Sequence, residues 1–254
     1  MKAPAAVLFD MDGTLVDTEV LWWETAREVA AGLGHRLTDA DAPEVVGRAV
    51  ADTAAHLIAV TGGAAGARDR AAEPDGSAES DRDAEPDRRA ALERTAAELT
   101  GSFFRKVDAG APLRPGAAAL LASVEAAGVP FALVSASPRS VVDAVVAGSL
   151  AGVGFAFTLS ADDTVRTKPH PDPYRAAAER FAAAPSACVA VEDSPDGTAS
   201  ADAAGCAVLV VPSLLPVAPG QGRMFARSLE EVDLGVLSDC LRRPDPEMRG
   251  PKSA

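Results

Sequence analysis

The chain has no surplus of positive charge, no regular cysteine pattern and no long apolar run, and each absence removes a class of function. Its 24 lysines and arginines face 37 aspartates and glutamates, for a formal net charge of -13. Nucleic-acid phosphates need a basic face, and no basic stripe is present. Cys188, Cys206 and Cys240 are scattered without metal-ligand spacing, and an odd number cannot all pair within one chain. They read as buried or indifferent thiols in a reducing cytosol. No run of about 18 apolar residues is available for a membrane helix. Met1-Lys2-Ala3-Pro4 passes into the first strand without a signal peptide's apolar segment, so a cytoplasmic protein is expected. One internal stretch, 62–90, has no apolar side chain other than alanine, and its Asp, Glu, Arg, Ser, Gly and Pro cannot offset ordering entropy. A disordered or loosely helical insertion is expected there.

What remains is a 254-residue chain, 48% hydrophobic and 24% charged, long enough for a sizeable core. Ala5 to Phe9 is a continuous apolar run of strand length, the pattern of a strand covered on both faces in a parallel sheet. Helical spacing follows at Val20, Trp23, Ala26, Ala30 and Leu33, again over roughly 40–46 and 50–60, and again at Leu92, Ala96, Leu99, Phe103 and Val107. No good strand is predicted between Val16 and Gly110. From Leu113 onward strands and helices alternate. Strands are expected at 131–134, near 155–158, at 187–191 and at 207–211, with helices at 116–127, 140–150, 173–183 and 197–204. This alternation predicts an α/β fold, a doubly wound parallel sheet, with an inserted all-helical cap. The expected division is a core of 1–16 and 111–241, a cap of 17–110 and a flexible tail of 242–254.

The chemistry-bearing residues follow the strands. Asp10-Met11-Asp12-Gly13-Thr14 ends the first apolar run with two carboxylates, a glycine and a hydroxyl. Alone, these residues fit either a strand end and helix cap or hard oxygen ligands for magnesium beside a turn that an anion can approach. Ligands collect outside the carboxyl ends of strands in open parallel sheets. The other strand ends carry Ser135-Ala136-Ser137 and Glu192-Asp193-Ser194, and Lys168-Pro169 precedes a helix. Acids, a hydroxyl and a cation gathered this way suit phosphoryl transfer. A carboxylate can form an aspartyl-phosphate, magnesium and lysine can offset phosphoryl charge, and a second acid can move the proton.

In this order and at these strand ends, Asp10-Met11-Asp12-Gly13-Thr14, Ser135, Lys168-Pro169 and Glu192-Asp193-Ser194 resemble the four motifs of the haloacid dehalogenase superfamily. Asp-Thr-Glu at 17 to 19, Ser-Ala-Ser at 135 to 137 and Lys-Pro-x-Pro-Asp from 168 resemble its branch of sugar phosphatases and β-phosphoglucomutase. The resemblance implies Asp10 as nucleophile and magnesium ligand. It implies Asp12 as general acid/base whose backbone carbonyl also binds the metal, and Asp193, with Glu192 near or in the first shell, as completing the site. Ser135, with Ala136 beside it, would meet the phosphoryl group, and Lys168 would pair with that group and with the nucleophile. Arg48 falls where the family places its specificity loop, so it is a candidate substrate ligand and equally a solvated surface arginine. Trp22 is a candidate cleft residue or, more simply, cap core. His170, between two prolines, reads as a turn residue, and His35 and His56 have no nameable partner.

The function implied is a magnesium-dependent phosphatase of a small phosphorylated metabolite, a sugar phosphate by preference, acting without nucleic acid or membrane and expected as a monomer. A β-phosphoglucomutase is the first alternative. Against it, Trp22 stands where the mutase carries a hinge histidine, and Val50 where the mutase has its cap arginine. A phosphonate hydrolase needs an early cap lysine, and the cap has only Lys106, near its end; a dehalogenase would not need Asp12. A noncatalytic phosphometabolite-binding regulator is the alternative outside enzymes, and the full set of acids with Lys168 counts against it. Closure of the cap on hinges near Val16-Asp17 and Gly110-Pro112 is expected.

Overall fold

The computed structural model describes residues 3–46, 48, 50–65, 80–220 and 222–242. They divide into two compact units, one made of residues 1–17 and 110–254, the other of Thr18–Ala109.

The first unit is built on β1 (Ala6–Phe9), whose four side chains are all buried. The chain then leaves for the second unit, whose regular elements among the described residues are helices: α1 (Thr18–Gly32), α2 (Ala42–Val45), α3 (Val50–Ala65) and α4 (Ser80–Gly110). On its return it forms α5 (Ala117–Ala126), β2 (Phe131–Val134), α6 (Arg139–Ala147) and β3 (Thr158–Leu159). There follow α7 (Asp172–Arg180), β4 (Cys188–Glu192), α8 (Pro195–Ala204), β5 (Ala207–Val210), β6 (Arg223–Phe225) and α9 (Leu234–Cys240).

The six strands form one parallel sheet in the order β3-β2-β1-β4-β5-β6. The strand order reverses at β1, which pairs with β2 on one side and with β4 on the other. Such a switch point leaves a crevice at the carboxyl ends of the two central strands. Both faces of the sheet are covered. Ala6, Leu8, Ala132, Ala190 and Val208 pack with Tyr174, Ala177 and Ala178 of α7 and Ala201 and Ala204 of α8. The opposite alternation, Val7, Phe9, Leu133, Val189, Val191 and Leu209, is fully buried as well. Alanines on α7 and α8 let those helices lie close to the strands, so an alanine-rich composition still yields a dense interior.

In the helical unit, Ala26, Val29, Ala30, Leu37, Val45, Ala54, Leu57 and Leu99 form a core of their own, with Trp22, Trp23, Val50 and Ala96 packed against it. His56, which had no nameable partner, meets Asp41 at 3.1 Å.

Four sequence expectations need correction or limits. β3 begins at Thr158, because Phe155 and Phe157 stack on Phe131 and Phe181 and the stretch before it joins β2 only through single hydrogen bonds such as Ala156 N to Phe131 O, 2.9 Å. β6 and α9 were not expected: β6 is a three-residue edge strand, and α9 is short, with Asp233 accepting from Val236 N at 2.9 Å as its cap. The insertion expected at 62–90 is helical at its two ends, where α3 runs on to Ala65 and α4 starts at Ser80; 66–79 lie outside the described residues. So do 243–254, most of the expected tail.

Candidate active site

The end of β1 carries the chain into a tight loop. Leu15 N and Val16 N both donate to Met11 O, at 2.9 and 3.0 Å, and Gly13 N donates to Val16 O at 2.8 Å. Gly13 has φ +80°, and a Cβ built there would stand 2.1 Å from Asp193 Oδ2, so only glycine lets this loop close against the acid. Asp193 follows β4 and is gripped by Thr14 Oγ1, which donates to its Oδ1 at 3.3 Å, and by the Ser213 hydroxyl, which donates to its Oδ2. Asp10 N donates to Val191 O at 3.0 Å, which fixes Asp10 beside the end of β4.

Lys168 joins these strand ends. Its Nζ donates to Asp10 Oδ1 at 2.6 Å and to Glu192 Oε1 at 2.7 Å, and all three side chains are buried. The Tyr174 hydroxyl donates to the same Glu192 oxygen, and the ammonium lies 5.2 Å from the Tyr174 ring centroid. α8 starts directly behind Glu192: Ser194 caps it by accepting from Gly197 N at 3.1 Å, and a Cβ at Gly197 would fall 2.0 Å from Glu192 Oε2. Burial alone would lower the Lys168 pKa, but the charges of Asp10 and Glu192 outweigh it and hold the lysine ionised well above its ordinary range. Burial pushes the Glu192 carboxyl up to about 7, with the Asp10 charge adding to the rise and Lys168 opposing it. One lysine shared by two buried carboxylates cannot fully compensate both. The Tyr174 phenol is pushed well above 10, first by burial and then by the charges of Glu192 and Asp10.

Asp12 is held separately. Its Oδ2 accepts from Ser135 Oγ at 2.9 Å and from Ser137 Oγ at 2.8 Å, while Ser137 N donates to Ser135 Oγ at 2.9 Å. Asp10, Glu192 and Asp193 each offer a carboxylate oxygen within 4.8 Å of the others, and all three are buried. Asp10 Oδ2 is buried with no hydrogen-bond partner. An orphaned carboxylate oxygen beside two more buried acids is an all-oxygen donor set that fits a hard divalent cation.

The residues expected from the sequence therefore fall into two groups. Asp10, Lys168, Glu192 and Asp193 come together at the ends of β1 and β4, and Asp12 stands with Ser135 and Ser137 at the ends of β1 and β2. The Asp12 carboxylate is not in the three-acid group, and the Ser135 hydroxyl donates to Asp12; Ala136 beside it is exposed. In the helical unit, Arg48 is exposed, with Nε donating to Pro43 O at 3.0 Å and its guanidinium 3.8 Å from Glu44. Trp22 donates from Nε1 to Val45 O at 2.9 Å and packs edge-on against Phe103. His170 is an exposed turn residue whose carbonyl accepts from Ser200 Oγ. Sequence reasoning missed Tyr174 and Ser213. Ser213 lies just beyond the end of β5, where the same strand-end logic would have found it; Tyr174 had no signal beyond being the chain's only tyrosine, six residues past Lys168.

A doubly wound sheet with buried acids and a shared lysine at its switch point is the frame of an α/β enzyme. Residues 4–205 match the family model for haloacid dehalogenase-like hydrolases, and the chain belongs to that family. It is similar to the plasmid protein CbbY of Cupriavidus necator, 30% identical over 215 residues, covering 82% of this chain and 78% of the relative. Hexitol phosphatase B of Escherichia coli is 29% identical over 235 residues, covering 92% and 93% of the two chains. Among solved structures, CbbY of Rhodobacter sphaeroides in complex with phosphate superposes with a TM-score of 0.66 at 26% identity, over 92% of this chain and 99% of that one. Among the described residues no helix is long and apolar enough to cross a membrane.

Proposed function

We propose that this hydrolase of phosphate monoesters removes phosphate from a small phosphorylated sugar or polyol through an aspartyl-phosphate on Asp10. The observation that carries the reading is the convergence of Asp10, Lys168, Glu192 and Asp193 at adjacent strand ends. A carboxylate oxygen of Asp10 attacks phosphorus, a new P–O bond forms to Asp10, and the bond to the substrate oxygen breaks. Asp12 gives its proton to the departing sugar oxygen, then takes one from the water that attacks the phosphorus and frees Asp10. Ser135 and Ser137, which hold the Asp12 carboxylate, fix where that proton sits. Lys168 offsets charge on the phosphoryl oxygens while its bond to Asp10 orients the attacking carboxylate.

Asp10 and Asp193, with the Asp12 backbone carbonyl and Glu192 nearby, would hold Mg2+, which supplies positive charge to the transferring phosphoryl group when bound. The donor set supports this: three buried carboxylates, one with an oxygen that has no other partner. A sugar or polyol phosphate is favoured because a similar protein is named a hexitol phosphatase. Water is favoured over a second sugar as acceptor because Trp22 and Val50 stand where a mutase would carry histidine and arginine. We place the chain in the cytoplasm as a monomer, with the unit Thr18–Ala109 serving as the cap that selects the substrate.

The test is phosphate release from a panel of sugar and polyol phosphates with magnesium. Release by the wild-type chain, abolished in Asp10→Asn, is expected; activity that survives this substitution sinks the aspartyl route. β-Glucose 1-phosphate turned into glucose 6-phosphate faster than free phosphate appears would move the protein to the mutases.

A further inference from the structure

The steps above leave Tyr174, a buried ionisable group bonded to the site, without a task. Tyr174, the only tyrosine of the chain, is fully buried on α7 among Leu8, Ala178, Ala190 and Cys206 of the core. We propose that Tyr174 is a positioning residue that holds Lys168 against Asp10; the inference rests on the reading of Lys168 and Asp10 as phosphatase groups. Three contacts carry it. The Tyr174 hydroxyl donates to Glu192 Oε1, the oxygen that also accepts from Lys168 Nζ at 2.7 Å. The Tyr174 ring lies under the same ammonium, 5.2 Å from centroid to Nζ. Lys168 then donates to Asp10 Oδ1 at 2.6 Å.

Lysine is a point charge on a four-carbon stem with rotatable donors, so two carboxylates alone leave its position soft. Tyr174 removes that freedom from two sides. Its hydroxyl stops the Glu192 carboxylate from turning away, and Glu192 Oε2 is kept by Asp193 N and Ser194 Oγ, at 3.3 and 3.4 Å. Its ring offers the negative face of a π system to the ammonium. Packing does not explain the hydroxyl: every other neighbour of the ring named above is apolar, and phenylalanine would fill the space without desolvating an O–H group. What the hydroxyl adds is the grip on Glu192.

The test compares the full-length wild-type chain with Tyr174→Phe and Tyr174→Leu in magnesium and a phosphate monoester that the wild type hydrolyses. With Y174F, kcat is expected to fall about 5- to 20-fold while KM changes by less than about two-fold, as for misplacement of a group beside the nucleophile. Y174L, which removes the ring as well, is expected to lose more. A folded Y174F with wild-type kcat overturns the inference, because a residue that only fills the core would move thermal stability and leave turnover alone. A second readout needs neither turnover nor a folded variant. A chain labelled with [ζ-13C]tyrosine has a single tyrosine resonance, which is expected to shift when magnesium and beryllofluoride, a phosphoryl mimic, are added. If the wild type releases phosphate from no monoester, the functional reading fails and takes the inference with it, whereas a wild type that turns over beside an unimpaired Y174F overturns the inference alone. A resonance that stays in place overturns it.

Discussion

Lys168 is the residue on which the buried charges balance. Among the described residues it is the one cation bonded to both Asp10 and Glu192, so replacing it leaves two interior carboxylates to repel each other. Lys168→Met is expected to lose about 3 to 5 kcal/mol of stability, read by chemical denaturation, together with all phosphatase activity. Wild-type stability with loss of activity alone would mean that the carboxylates find compensation elsewhere. Gly13 is constrained by geometry instead of charge. Its positive φ and the 2.1 Å approach of a would-be Cβ to Asp193 leave no room for a side chain. Gly13→Ala is expected to cost about 1 to 3 kcal/mol and to displace Asp193, so thermal stability and phosphate release should fall together.

Among the elements, the turn after β3 is the one that supports Asp12 from behind. Ser160 N and Oγ donate to Asp163 Oδ2 at 2.7 and 2.6 Å, and Asp163 also pairs with Arg139 at the start of α6. Arg139 N donates to Asp162 at 2.8 Å and Ala161 N to Ser137 O at 2.9 Å, so this turn sets the position of the serine that holds Asp12. Burial raises the Asp163 pKa, but the Ser160 hydrogen bonds and Arg139 outweigh it, and the net shift is downward. A carboxyl with a lowered folded pKa contributes stability that is present above its unfolded value near 3.8 and is lost as pH falls through the folded value. Asp163→Asn should therefore cost about 1 kcal/mol at neutral pH, with the difference from wild type closing in thermal melts as pH falls below 3.8 through the lowered folded value. A difference that persists there would rule out the ionised pair as its source. Elements of this kind are where the sequence was least legible. The long apolar strands β1, β2, β4 and β5 announce themselves because burial on both faces demands continuous apolar runs. β6 and the two-residue β3 are edge strands ordered by their neighbours, with so little local pattern that β6 was not read and β3 was read three residues early. The acids and Lys168 were legible because each follows or precedes such an element; the side-chain partners Ser213 and Tyr174 were not, because their roles depend on where separate elements meet.

On the scale of the whole molecule, the site is assembled from positions 10, 12, 135, 168, 192 and 193, brought together only by the order of the parallel sheet. An interior that gathers oxygens of three carboxylates within 4.8 Å is held against its own repulsion, which a divalent cation bound there would relieve. Magnesium at 100 times its dissociation constant should stabilise the folded chain by about 2.7 kcal/mol, seen as a rise in melting temperature that chelator reverses. Asp193→Asn should lose that rise, and a rise that persists would place the metal elsewhere. The most direct measurement of all is chemical. Borohydride added during turnover reduces an acyl phosphate to an alcohol, and peptide mass spectrometry locates the product. Conversion of Asp10 to homoserine, dependent on substrate and magnesium, is the expected result. Phosphate release with position 10 unchanged, or reduction at a different carboxylate, would contradict an aspartyl-phosphate on Asp10.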